Sequence, residues 1–347
     1  MTRFVVVDAT PYGRGPSGAR RRAVEMLRRL PALLAPAVFE VHWARDGDGP
    51  PEDLVADRLV HAKVGVSSRG GALRWLARGR DLRRRHREAP FSHLLVDHGP
   101  LVAPDRVANV VTVHDLRFLH GYGGAARAWY GRRRYGDLLR RAAVVVAVSG
   151  AVAEELAGAY GLRDVVTAPN APAEAFRRGS AEGVADVLSR RGIPMPYVLA
   201  VGRDEPRKAL PAAVFAAGVA GVPLVVAGAP GFTAPGVISL GDVPDEDLAA
   251  LYAGARWTLV PSRYEGYSLP AAESLACGTP VIASDVPAHR ALALDGARGL
   301  VLVPAPTSDE GDWSAAADAL RGARPVDVAP PRTTWDDSAA RVAQAMP

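Results

Sequence analysis

The 347-residue chain has a single cysteine, Cys277. An intrachain disulfide is therefore excluded, and a reducing compartment fits. No apolar run approaches the roughly 18 residues that a membrane-spanning helix needs. The longest, Ala142 to Val148, has the length of a buried strand. The opening MTRFVVVDAT lacks the long apolar core of a signal peptide and reads as a strand. These absences set the expectation of a cytosolic protein. Zinc spacing is missing too, since neither Cys277 nor the scattered histidines recur at suitable intervals. No short repeat or low-complexity tract is present.

What the chain does have is apolar residues, 48% of the total, and a length that suits two domains of ordinary size. Short apolar runs alternate with helical stretches. Phe4–Ala9, Val38–Ala44, Leu94–Asp97, Val110–His114, Val144–Ser149 and Val165–Ala168 read as strands. Helices are expected over Ala19–Leu30, Leu73–Arg87, Ala125–Arg141 and Ala151–Tyr160. The cycle then restarts with strands at Tyr197–Val201, Leu224–Ala227, Val237–Leu240, Trp257–Val260, Val281–Ala283 and Leu300–Val303, and a helix at Ala209–Ala217. Such alternation implies parallel sheets covered on both faces, and two series imply two doubly wound domains. The break falls in the Pro- and Gly-bearing stretch between Asn170 and Pro196. The expected division is 1–172, joined by a terminal helix at about 335–347, and 186–333. The charge divides as well. Residues 1–172 carry 27 Arg and Lys against 17 Asp and Glu, a net of +10, and the remainder 15 against 20, a net of −5.

Nucleotides bind doubly wound sheets at the carboxyl ends of the strands. Three segments compete for that role. Gly13-Arg-Gly15-Pro-Ser-Gly18 matches the dinucleotide G-x-G-x-x-G, with Glu40 as the acidic residue that would meet the ribose. An NAD-dependent oxidoreductase is one reading of it. Yet Thr10, Pro11 and Tyr12 lengthen the turn and Pro16 lies inside it, where the fingerprint wants a tight turn. A plain Gly-rich loop, or one that offers N–H groups to a phosphate, fits as well. The second segment, Val201-Gly-Arg203-Asp-Glu-Pro-Arg-Lys208, puts Arg203 and Lys208 after a strand, where they suit the charge of a diphosphate. The third runs from Pro261 to Val281. It places Glu265 after a strand and Glu273 on a helix opened by Pro270, with Gly266, Tyr267, Ser268 and Leu269 between them. Carboxylates accept paired hydrogen bonds from vicinal sugar hydroxyls, so two of them suit a ribose and a hexose.

The spacing Glu265-x7-Glu273, flanked by Pro261-Ser262 and Ala276-Cys-Gly-Thr-Pro-Val281, resembles the donor signature of the retaining family 4 glycosyltransferases. The resemblance extends to Thr112-Val-His114-Asp115-Leu116, Val148-Ser149, Pro169-Asn170, Arg203 with Arg207-Lys208, Leu240-Gly-Asp-Val243, Leu251–Ala255 and the Trp335 segment. It spans nearly the whole chain in the family's order. It implies an α/β protein of GT-B fold, two Rossmann-like domains facing a cleft that closes on the donor. It implies a retaining transfer of a hexose from GDP-mannose or a UDP- or dTDP-hexose to a glycan, lipid-linked or small-molecule acceptor. No metal, cofactor or nucleic acid is implied. Asp46-Gly-Asp48 spells the D-x-D of metal-dependent transferases but sits in a Gly/Pro/Asp turn. By the same resemblance, Arg203 and Lys208 hold the diphosphate, Glu273 the ribose, and Glu265 the transferred sugar. The backbone of Gly266, Tyr267, Ser268 and Leu269 lines sugar and phosphate, Val243 meets the base, Gly18 the phosphates and His114 the sugar. One departure stands out: the family usually has Phe-Gly at Tyr267-Ser268, and serine resists the positive φ that glycine adopts freely. A scaffold that binds without catalysis is the remaining alternative, marked by loss of Arg203, Lys208, Glu265 or Glu273; all four are present. The arginines of 20–22, 28–29, 73–87 and 132–134 form an expected basic face, suited to an anionic acceptor or to the inner face of the cell membrane, or else simply solvated in an arginine-biased chain.

Overall fold

The computed structural model describes residues 3–10, 17–44, 49–50, 54, 56–62, 71–96, 103–307 and 312–347. They divide into two compact units, Met1–Asn170 with Trp335–Pro347, and Ala171–Thr334.

In the first unit, β1 (Phe4–Ala9) leads to α1 (Gly18–Leu33), then to β2 (Val38–Ala44), β3 (Arg58–Ala62), α2 (Gly71–Glu88), β4 (His93–Val96) and β5 (Ala108–Val113). There follow α3 (Ala125–Tyr130), a π-helical turn (Gly131–Tyr135), α4 (Gly136–Arg140), β6 (Val144–Ala147), α5 (Gly150–Tyr160) and β7 (Val166–Thr167). The strands pair in parallel in the order β3-β2-β1-β4-β5-β6-β7. Val5, Val6 and Val7 of β1 are all buried, as expected of a strand covered on both faces. Ser17 starts α1 by accepting from the Arg20 N–H at 3.1 Å, and Ser149 starts α5 by accepting from Val152 at the same distance.

Two elements differ from the sequence reading. The single helix expected over Ala125–Arg141 is interrupted by the π turn. Gly131 lies on the Phe118 ring so closely that a Cβ there would come within 2.1 Å of it. The unexpected strand β3 is an edge strand, paired only with β2 and carrying Arg58 and His61 within its short run.

The basic face is also partly corrected. Arg22 is fully buried and donates to the Ala168 carbonyl at 2.9 Å and to Asn170 Oδ1 at 3.0 Å. Arg78 is buried in an ion pair with Asp8 at 3.1 Å and bonds His42 Nδ1 at 2.7 Å. Arg85 forks onto Glu40 at 2.8 and 2.6 Å. The carboxylates inside the sheet, Asp8 and Glu40, draw Arg78 and Arg85 inward, because a buried carboxylate needs a partner. Glu40 itself is fully buried, bonded to His42 and Arg85. Burial pushes its carboxyl up, but the His42 and Arg85 bonds outweigh that and hold it at about 2. Its carboxylate is thus committed to the core and is not offered to a ribose, which removes the acidic half of the dinucleotide fingerprint. Arg132, Arg133 and Arg134 remain exposed. The side chains of 71–76 and the Asp46–Asp48 turn lie outside the described residues.

The second unit contains α6 (Ala181–Arg190), β8 (Val198–Val201), α7 (Leu210–Ala220), β9 (Leu224–Ala227), β10 (Val237–Ser239) and α8 (Asp245–Gly254). It continues with β11 (Trp257–Val260), α9 (Leu269–Ala276), β12 (Val281–Ser284), α10 (Pro287–Leu294), β13 (Leu300–Val303) and α11 (Ser314–Arg321). The parallel order is β10-β9-β8-β11-β12-β13. Val198, Ala200, Trp257 and Leu259 pack on one face with Ala212, Ala213 and Ala216 of α7 and Trp313. Tyr197, Leu199 and Val225 pack on the other with Leu251 and Tyr252 of α8. Strand order reverses between β8 and β11, and a doubly wound sheet opens a crevice at that switch point.

The last helix, α12 (Trp335–Ala345), belongs to the first unit. Asp336 pairs with Arg29 of α1, and Arg341 donates to the Thr167 carbonyl at 3.1 Å.

Candidate functional site

The two loops that leave the switch point carry most of the polar residues singled out in the second unit. After β8 the chain passes Gly202, at φ 148°, then Arg203, and makes a tight helical turn at Pro206–Lys208. After β11 it passes Pro261 and Ser262 to Glu265. The Arg263 N–H donates to the Arg207 carbonyl at 2.8 Å and ties the loops together.

Glu265 is the centre of this junction. Its Oε1 accepts from Lys208 Nζ at 2.5 Å and from the Ser262 hydroxyl at 2.7 Å, and its Oε2 accepts from Arg207 Nη1 at 3.0 Å. Arg207 is also ion-paired with Glu205 at 2.7 Å. Burial pushes the Glu265 carboxyl up, but the Lys208 and Arg207 cations outweigh it and hold it at about 2. Among the described residues Lys208 makes no second hydrogen bond, so two of its three N–H groups are uncommitted. Arg203 is half-exposed and lies 3.4 Å from Asp242, equally exposed, on the loop after β10. An exposed pair of this kind contributes at most about 1 kcal/mol and yields readily to a stronger partner. Val243, next along, is partly buried against the core.

Past Glu265 the chain turns into α9 through Gly266, Tyr267 and Ser268. Tyr267 is buried, and among the described residues its hydroxyl has no hydrogen-bond partner. Ser268 does adopt the left-handed backbone, φ 85°, that a glycine would adopt without strain. Glu273, on α9, is 3% exposed, and its Oε2 accepts from the Tyr252 hydroxyl at 3.2 Å. Both glutamates are therefore buried and bonded, unlike solvated surface carboxylates.

The structure brings Lys208 and Glu265 into contact and places Arg203, Val243, Gly266–Leu269 and Glu273 in the same unit. His114 and Gly18 lie in the first unit. His114 follows β5 at the carboxyl edge of its sheet and is partly exposed; Gly18 opens α1 and is exposed. Gly13 to Pro16 lie outside the described residues. Sequence reasoning missed Arg207 and Ser262 as partners of Glu265, Tyr252 as partner of Glu273, and the buried His289 behind Ser268. Arg207 stood beside Lys208 in the quoted motif, which was the available signal for it. His289 had none.

Residues 16–171 match the family described as Glycosyltransferase Family 4, and residues 196–321 match Glycosyl transferases group 1. The chain belongs to the family 4 (group 1) glycosyltransferases. Within this family it is 33% identical over 185 residues to the D-inositol 3-phosphate glycosyltransferase of Mycobacterium tuberculosis, covering 48% of this chain and 37% of that protein. It is 57% identical over 47 residues to the O-antigen chain mannosyltransferase B of Escherichia coli, covering 14% of this chain and 12% of that one. The matched stretches thus span well under two thirds of either relative. Among solved structures, Anabaena HepE in complex with UDP and glucose superposes with a TM-score of 0.69 at 16% identity, over 99% of this chain and 94% of that one. At that identity the likeness is one of fold, and the fold is GT-B.

Proposed function

We propose that this glycosyltransferase moves a hexose, with retention of anomeric configuration, from a nucleotide-diphosphate sugar to a glycan, lipid-linked or small-molecule acceptor. The observation that carries the reading is the Glu265 junction at the switch point of the second unit. There a buried carboxylate is held by two cations, and one of them keeps uncommitted N–H groups.

A carboxylate offers about four acceptor positions. Three on Glu265 are filled by Lys208, Ser262 and Arg207. The fourth, on Oε2, suits a hydroxyl of the transferred sugar. Glu273 suits the ribose hydroxyls, and the backbone of Gly266, Tyr267, Ser268 and Leu269 lines sugar and phosphate. Val243 is assigned to the base, and His114 and Gly18 are assigned to the sugar and phosphates on the resemblance alone. When the bond from C1 to the diphosphate breaks, negative charge grows on the leaving oxygens, and Lys208 and Arg203 stabilise it. The acceptor oxygen attacks C1 from the same face, and its proton passes to the departing phosphate. The protein's part is positioning and charge stabilisation. Glu265 does not serve as a nucleophile here, since three donors hold its oxygens.

The mannosyltransferase named among the relatives supports a mannosyl donor, and the UDP-bound HepE structure supports a UDP-hexose as another. A lipid-linked acceptor would be met at an anionic membrane surface. The exposed Trp129 and Tyr130, followed by Arg132–Arg134, suit docking there. Among the described residues no helix is long and apolar enough to cross a membrane. The reading is tested by incubating the protein with a panel of GDP-, UDP- and dTDP-sugars and measuring released nucleotide. Turnover of one member supports it. Binding without turnover favours a silent scaffold, and binding of NAD in preference to all of them favours an oxidoreductase.

A further inference from the structure

Ser268 stands where the family usually has glycine, at φ 85° and ψ 68°, immediately before α9. Arg106 and Ala209 are the other non-glycine residues at positive φ among the described residues, so the conformation is rare here. A serine in it needs something to hold it.

His289, on α10, is fully buried. Its Nδ1 lies 2.6 Å from the Ser284 carbonyl oxygen. A carbonyl oxygen only accepts, so Nδ1 carries the proton. Burial lowers the affinity of the ring for a second proton and Lys208 acts in the same sense, and together they outweigh the Ser284 carbonyl, Glu265 and Asp285, which raise it. The ring is therefore neutral and Nε2 is bare. Nε2 lies 3.0 Å from the Ser268 oxygen, which must donate to it. The serine hydroxyl is thus anchored inward, on a histidine that is itself anchored on the end of β12. α9 has few donors in its first turn, because Pro270 has no N–H. The direction of the Ser268, Leu269 and Ala271 N–H groups depends on how the residue before the helix is held.

We propose that His289 is a positioning residue for the donor: by fixing the Ser268 hydroxyl it holds the left-handed turn that aims the first N–H groups of α9 at the diphosphate. A glycine does this unaided. The proposal rests on the donor reading of the second unit given above.

The test is a double-mutant cycle read by calorimetric titration with UDP, GDP and dTDP, the fold of each variant checked by circular dichroism. H289L removes the acceptor and keeps an apolar side chain of similar bulk. S268A keeps the strained Cβ and removes the hydroxyl. Each should weaken binding of the preferred nucleotide about five- to tenfold, the worth of one hydrogen bond with its geometry. H289Q, whose terminal oxygen can accept from Ser268, should recover part of the loss. In an S268G background H289L should cost less than about twofold, because glycine needs no anchor. A purely packing role for His289 gives equal losses in both backgrounds and overturns the proposal. Nitrogen-15 spectra of the imidazole provide a second readout that needs no ligand. They should show the Nδ1–H tautomer, with an Nε2 shift altered in S268A, and the Nε2–H tautomer would overturn the proposal. Wild-type protein that binds none of UDP, GDP and dTDP rejects the donor reading, and the positioning role falls with it.

Discussion

Glu265 and Lys208 are 57 positions apart in the chain and 2.5 Å apart in the structure. Their side chains are only 7% and 13% exposed, and their contact indicates what each should do when changed. Lys208→Ala and Arg203→Ala should each lower donor turnover about 10- to 100-fold, the cost of one charge-assisted hydrogen bond to the leaving diphosphate. Steady-state rates on the purified variants check this, and wild-type rates in both would remove the cations from the mechanism. Glu265 also predicts a pH dependence of stability. Its ordinary value is 4.5 and its value in the fold is about 2. Its contribution is therefore fully present above about pH 4.5 and is lost as the pH falls through about 2. Urea unfolding across that range should give a smaller acid loss in Glu265→Gln than in wild type. Equal slopes would mean that the junction does not hold the carboxylate ionised. At this scale the sequence singles out Glu265, Glu273, Arg203 and Lys208 through their resemblance to the family's motifs, since their spacing alone also fits ordinary surface residues. It could not name Ser262 as the partner of Glu265 or His289 as that of Ser268. Those pairings depend on which loops the sheet brings together, and no local pattern records that. Serine at 268 looks like a misfit in the sequence until the histidine behind it is seen.

Among the elements, the strands of both sheets are readable because strands covered on both faces become continuous apolar runs, as in Val5–Val7 and Leu224–Ala227. Where reading fails, distant packing overrides local preference. The helical pattern over Ala125–Arg141 is continuous, yet Gly131 on Phe118 and Gly136 on Tyr160 are contacts across the unit, and the turn between α3 and α4 widens to accommodate them. Gly131→Ala should therefore destabilise the first unit by about 1–3 kcal/mol, as overpacking does. Denaturant unfolding measures it; a neutral result would mean that the Phe118 ring swings aside freely. The arginines of α1 and α2 teach the same lesson in charge. Their spacing suggests a basic face, but Asp8 and Glu40 inside the sheet draw Arg78 and Arg85 inward.

Across the whole molecule, two strand–helix cycles and the opposite charges of the two halves are visible in the sequence alone, whereas the exposed basic patch is visible only once the inward arginines are set aside. What remains exposed includes Arg28, Arg80, Arg84 and Arg87 and, beside Trp129 and Tyr130, which are 61% and 42% exposed, the run Arg132–Arg134. Wild-type protein should sediment with anionic vesicles at low salt and be released at high salt, as screening removes about 1 kcal/mol per basic residue at the surface. Reversing all three charges (R132E, R133E, R134E) should abolish the binding. No sedimentation even at low salt would leave a soluble acceptor. The identity of the reaction is most directly tested by following a panel of nucleotide sugars with the enzyme by proton NMR in real time. A retaining transferase consumes one of them, and the first sugar signal to appear, in transfer or in slow hydrolysis, keeps the anomeric configuration of the donor. Lys208→Ala should slow its appearance about 10- to 100-fold without changing its configuration. An inverted first product would contradict the retaining mechanism, and a folded protein that turns over no member of the panel would contradict the assignment of sugar transfer itself.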